Sequence, residues 1–178
     1  MKKDDRGYTL VELVIVIAIL GILITIGVRN LGVLNNYRTR ECKSKLVSSI
    51  TELRIDCLSK SRKNTGTLGT ADVYLDIYMS DGKVYVKKHW PGKKEGDAAL
   101  ESEPILVSKG RKTKLEFHGK SATGSDVAIT GDSISIAFNR STGALLSNDS
   151  GVYIDTIDVI TGTYARKIKF QSKTGKVE

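Results

Sequence analysis

Residues 6–28 read RGYTLVELVIVIAILGILITIGV, an apolar run from Tyr8 to Val28 with a single carboxylate, Glu12, near its start. Those twenty-one residues make a helix of about 30 Å, long enough to cross the hydrocarbon core of a bilayer. A spanning helix is the first reading, and Glu12 is the feature it does not explain. An ionisable group between Val11 and Leu13 is costly in lipid and points to a function with a partner. The alternative, equally open on spacing, places Glu12 near the helix end, where it reaches the interface.

The flanks narrow this choice. Met1-Lys2-Lys3-Asp4-Asp5-Arg6 has the short charged character of an export leader, yet Thr25–Asn36 (TIGVRNLGVLNN) offers no Ala-x-Ala-like cleavage site and no cysteine for lipid attachment. The apolar segment is therefore expected to stay on the mature chain, with any processing upstream of it.

Gly7-Tyr8-Thr9-Leu10-Val11-Glu12-Leu13, followed by the apolar run with Gly21, resembles the class III signal of type IV pilins and type II secretion pseudopilins. The resemblance implies that a prepilin peptidase cuts between Gly7 and Tyr8 and that the new α-amino group of Tyr8 is methylated. It also implies a role for Glu12, which would pair with the Tyr8 amine of a neighbouring subunit during filament assembly. Further implied partners are other pilin or pseudopilin subunits and an inner-membrane assembly platform.

Bulk composition agrees with one membrane-proximal helix plus one globular domain: 178 residues, 40% hydrophobic and 27% charged. About 110 residues beyond the helix suffice for a core without staples. Formal charge is +8, from 28 basic and 20 acidic residues, and loss of Met1–Gly7 leaves +7. That surplus suits nucleic acid, anionic lipid or cell-wall polymers without selecting one. Cys42 and Cys57, the two cysteines, would lie about 22 Å apart on one helix, beyond disulfide reach. They are expected to serve as small buried hydrophobes.

After Val28 the pattern becomes amphipathic. Leu46, Ile50, Leu53 and Cys57 recur at helical spacing, flanked by Val47, Arg54 and Leu58, while Arg38, Arg40, Lys43, Lys45, Glu52 and Lys60 take other faces. One helix from Tyr8 to Lys60, about 80 Å long, is expected, uninterrupted by proline. Gly27 and Gly32 weaken it locally by about 1 kcal/mol each, so a melt between them during assembly is an expectation. Asn64–Thr70 (NTGTLGT) ends the helix.

From Asp72 the period is two. Val73–Met79 and Val84–Val86, joined through Ser80-Asp81-Gly82-Lys83, predict a hairpin. Lys87–Glu103 reads as a polar surface loop. Strands are expected over Ile105–Ser108, Lys114–Phe117, Val127–Thr130, Ser133–Phe138, Ala144–Leu146, Tyr153–Ile160 and Lys167–Gln171, as an antiparallel meander or a small two-sheet domain. Two stretches, Ile134–Gly143 (ISIAFNRSTG) and Lys167–Val177 (KIKFQSKTGKV), are similar to features of type H minor pseudopilins and FimT-like minor pilins. That similarity tilts the expectation toward a minor subunit.

Enzyme chemistry finds no support in the motifs: Gly-x-Ser-x-Gly, phosphate-binding loop and dinucleotide fingerprint are all missing. His89 and His118 lack metal-like spacing and read as solvated. Asp149, Asp155 and Asp158 form no regular oxygen-ligand loop. No cofactor and no metal are expected. The basic residues Arg166, Lys167, Lys169, Lys173 and Lys176, with a second group at Lys109, Arg111, Lys112, Lys114 and Lys120, could neutralise phosphates if they converged, with Phe170 or Trp90 for stacking. Solvated strand faces and a disordered tail are the simpler reading of them.

The expected fold is α+β: a long N-terminal helix, apolar then amphipathic, packed on a C-terminal antiparallel sheet domain. Expected divisions are a leader at 1–7, a membrane or filament-core helix at 8–28, an amphipathic helix at 29–63 and a globular β domain at 64–178. The expected function is a structural one. The chain would be a pilin or pseudopilin held in the cytoplasmic membrane by one span, its globular domain outside the cytoplasm, until it enters a surface or periplasmic filament. Two alternatives stand beside it, a DNA-binding minor pilin of a DNA-uptake pilus and a plain membrane-anchored surface domain.

Overall fold

A computed structural model describes residues 9–94, 97–108 and 113–178, except the side chains of residues 26–31. The long helix α1 runs from Leu10 to Lys60 without a break, and its backbone is helical from Gly27 to Gly32. Its second half buries one stripe. Cys42, Leu46, Ile50, Leu53 and Cys57 are at most 1% exposed, and full burial of a Leu or Ile contributes about 1.5–3 kcal/mol. Arg54, on the flank of that stripe, donates from Nε to the Gly143 carbonyl at 3.1 Å and from Nη2 to the Thr174 carbonyl at 2.9 Å.

The predicted hairpin is β1 (Tyr74–Ser80) with β2 (Lys83–Trp90). Asp81 and Gly82 both have positive φ, 52° and 67°, the backbone of a type I′ turn that matches strand twist. The remaining strands are β3 (Leu100–Glu101), β4 (Ile105–Ser108), β5 (Thr113–Ser121), β6 (Asp126–Ile129), β7 (Ser133–Ile136), β8 (Val152–Thr161), β9 (Tyr164–Gln171) and β10 (Lys176–Val177). They form two five-stranded sheets, one ordered β3-β2-β1-β7 with β4 also on β2, the other β10-β9-β8-β5-β6. All strand pairs are antiparallel. Of the two expected arrangements this is the two-sheet one, because β7 returns to β1 and β8 inserts between β5 and β9. One apolar cluster joins the helix stripe to Leu75 and Ile77 of β1, Phe117 of β5, Ile157 and Val159 of β8, Ile168 of β9 and the fully buried Phe138. The fold is α+β, as expected.

Four local readings are corrected. Lys87–Trp90 is strand, not loop, because its polar side chains find partners far away in sequence. Lys88 Nζ pairs with Glu52 Oε2 on α1 at 2.5 Å, and Trp90 Nε1 donates to Asp56 Oδ2 at 3.0 Å. His89, read as solvated, is 5% exposed. It stacks on Tyr74, contacts Asp76 Oδ2 through Nε2 at 2.9 Å, and has Nδ1 3.3 Å from Glu101 Oε1. Ala144–Leu146 is not a strand and contributes only the bridge between Leu145 and Phe138. The chain end is paired, not disordered: β10 lies on β9, and Lys169 and Glu178 exchange both backbone hydrogen bonds, at 2.9 and 3.0 Å.

Asn64, read only as part of a helix stop, is the fully buried knot between α1 and β1. Its side chain donates to the Val73 carbonyl at 2.6 Å and accepts from Asp72 N–H at 2.7 Å. Both cysteines are free and buried, in the packing role expected of them. Burial pushes the Cys42 thiol up to about 12 and the Cys57 thiol up to about 11. Since the thiolate is the reactive form, neither should react with a disulfide reagent at neutral pH in the folded, detergent-solubilised chain. Both should react once denaturant is added. Rapid labelling of either in the native protein would contradict this packing.

Candidate functional site

The first turns of α1 combine a polar cap with an apolar cylinder. Thr9 is the N-cap and Glu12 the third helical residue of a reciprocal capping box. Glu12 N–H donates to Thr9 Oγ1 at 3.2 Å, while Glu12 Oε2 accepts from Thr9 N–H at 2.9 Å and from the Thr9 hydroxyl at 3.0 Å. Glu12 thus has an intramolecular partner as well as the intermolecular one implied by the resemblance. Gly7 and Tyr8 lie outside the described residues.

Beyond the cap, Leu10, Val11, Leu13, Val14, Ile15, Val16 and Ile17 are all exposed, as are Ile19, Leu20, Ile22, Leu23 and Ile24. Their exposure runs round the whole helix and not along one stripe, so this surface needs a covering of lipid or of other apolar helices. Among the described residues no helix is long and apolar enough to cross a membrane. The fully described apolar stretch, Leu10–Thr25, has sixteen residues, about 24 Å of helix.

Residues 2–28 match the prokaryotic N-terminal methylation motif. The chain is also 36% identical over 81 residues to the type IV major fimbrial protein FimA of Dichelobacter nodosus, a match covering 40% of this chain and 49% of that protein. The N-terminal segment is type IV pilin-like. The chain spans about half the length of the curated relative it matches, and no solved structure matches it.

The C-terminal basic residues do not share one surface. Ile168 and Phe170 of β9 point into the core. Strand alternation then puts Arg166 on the helix side, where Nη2 reaches Asn36 Oδ1 at 3.3 Å. Lys167 and Lys169 fall on the opposite, outer face. Lys173 lies in the turn before β10, and Lys176 on β10 pairs with Glu178 Oε1 at 2.6 Å. Of the second basic group, Lys114 and Lys120 also face outward on β5, with Lys120 3.2 Å from Asp155 Oδ1. Lys109, Arg111 and Lys112 lie outside the described residues. The outer face of this sheet therefore mixes Lys114, Lys120, Lys167 and Lys169 with Glu116, Asp155 and Asp158.

That outer face also holds a group that sequence spacing did not reveal. Glu116, His118 and Asp158 each offer one ligand atom, all within 4.8 Å of one another. Glu116 and His118 sit two apart on one strand, a visible hint. Asp158 is forty residues further on and arrives only through the register of β5 on β8, which sets it opposite Glu116.

Proposed function

We propose that this chain is a structural, non-enzymatic subunit, a pilin or pseudopilin and within that class a minor one, of a type IV pilus-like filament or type II secretion-type pseudopilus. The observation that carries the reading is the all-round exposed apolar cylinder Leu10–Thr25, continuous with the helix that carries the β domain. A globular protein does not leave such a surface to water, and the resemblance gives the carboxylate at its start an amine partner in a neighbouring subunit. A bundle of like helices in a filament core accounts for both.

In this reading residues 1–7 are a leader removed by a prepilin peptidase, and Tyr8 becomes the methylated N-terminus. Residues 8–28 hold the chain in the cytoplasmic membrane before assembly and form the filament core afterwards, aided by an inner-membrane platform. Residues 29–60 continue as the amphipathic helix, which stops at Lys60 short of the 63 expected, and 64–178 make the domain displayed outside the cytoplasm. The split of Arg166 from Lys167 and Lys169 across two faces, and the mixed charge around the latter, favour this structural role over nucleic-acid binding.

Mass spectrometry of the exported protein tests the proposal. The expected mature N-terminus is methylated Tyr8. An intact Met1 on membrane-held, surface-exposed protein would leave the plain anchor as the better account.

A further inference from the structure

The outer face of the second sheet carries a three-donor cluster apart from the N-terminal helix. Glu116 and His118 alternate with the buried Leu115 and Phe117 on β5 and so point outward, and Asp158 of β8 lies directly opposite Glu116. The central position of β8, between β5 and β9, leaves Asp158 only 9% exposed. Its Oδ1 is buried and has no hydrogen-bond partner, which holds for no other described buried side-chain oxygen or nitrogen. Its Oδ2 has two basic neighbours, His118 Nε2 at 3.4 Å and Lys167 Nζ at 3.6 Å. Both distances exceed those of an ordinary hydrogen bond.

A buried carboxylate in this condition is poorly satisfied, since one oxygen has nothing and the other has only long contacts. We propose that Glu116, His118 and Asp158 form a site for a zinc-like divalent cation on the outer face of the sheet. The 3.4 Å between His118 Nε2 and Asp158 Oδ2 is about the edge of a tetrahedron whose metal-ligand bonds are about 2.0–2.2 Å. Two of the three ligands thus stand at binding separation. Glu116, exposed on the neighbouring strand, closes the third side by a change of rotamer. One imidazole with two carboxylates suits zinc and related first-row ions. It does not suit Ca²⁺, which takes an all-oxygen shell, or soft ions that select thiolate. The positions facing solvent remain for water. Lys167 is the built-in competitor, an exposed ammonium that partly neutralises Asp158 and would swing away as the cation enters.

The test uses the full-length mature chain in detergent, free of any histidine tag and stripped of metal, titrated with Zn²⁺ against a chromogenic indicator. The expected result is one Zn²⁺ per chain, with affinity at least tenfold weaker in His118→Ala, whose half-exposed side chain can be removed without unfolding the sheet. Lys167→Ala should bind several-fold more tightly, because it removes the competing charge. Absence of Zn²⁺ binding to wild type, or binding unchanged in His118→Ala, would show that the three residues are only cross-strand ion pairs.

Discussion

Glu12→Ala is expected to remove the protein from filaments while leaving it made and held in the membrane. Two different interactions could be lost with that side chain, and their sizes separate them. The capping box with Thr9 is worth about 1 kcal/mol, too little to abolish assembly of a helix fifty-one residues long. In the proposed filament Glu12 would instead be a buried carboxylate paired with an amine of a neighbouring subunit. Removing one partner of such a pair costs about 3–5 kcal/mol, roughly a hundredfold or more in each subunit contact.

Glu12→Gln discriminates the two, since glutamine preserves a capping box but carries no charge. It is expected to fail as badly as Glu12→Ala. Thr9→Val, which removes the cap and keeps the charge, should assemble at near wild-type level. Immunoblots of sheared filaments beside membrane fractions give the readout, and normal incorporation of Glu12→Gln would reduce Glu12 to a helix cap.

Gly175→Ala should be the most damaging small substitution in the β domain. Gly175 sits in the β9–β10 turn at φ 65°, where an L-residue costs about 1–2 kcal/mol. A methyl there would also overlap the Gly143 carbonyl oxygen and press on Arg54 Nε and Phe138 Cδ1, each 3.0 Å away. Neither neighbour is free to retreat: Arg54 is tied to Gly143 and Thr174, and Phe138 is fully buried. Overpacking of this sort adds about 1–3 kcal/mol, for a total of about 2–5 kcal/mol and a melting temperature lower by about 10 °C. Gly124→Ala is the control, with φ 88° and nothing within 4 Å, so it should show the conformational cost alone. Trp90, hydrogen-bonded across to Asp56 on the helix, reports the melt by fluorescence. If the two variants melted together, the turn would not be clamped on Arg54 as described.

Legibility differed along the chain for physical reasons. Leu46, Ile50, Leu53 and Cys57 were readable as a buried stripe because helical periodicity is local, and Asp81-Gly82 was readable as a hairpin because few residues accept two positive φ angles in succession. The strand at Lys87–Trp90 was not readable. Its polar residues are stabilised by Glu52, Asp56, Asp76 and Glu101, and those partners are fixed by register and by helix packing. The buried state of His89 was hidden for the same reason. At the candidate assembly segment, a carboxylate set in an apolar run was visible at once, whereas its capping box with Thr9 emerged with the structure. The Thr-x-x-Glu spacing that signals such a box was nevertheless present at Thr9 and Glu12.

The sequence by itself determined the pilin-like N terminus, the long helix with its apolar and amphipathic halves, and the α+β class. Each of these rests on neighbours within a few residues, where composition and period state the physics directly. Only the tertiary structure decided that the strands divide into two sheets, that the basic C-terminal residues part to opposite faces, and that Asp158 meets Glu116 and His118. Those outcomes depend on which strand lies beside which. A shift of one residue in that register turns every side chain to the other face, and nothing local in the chain records it.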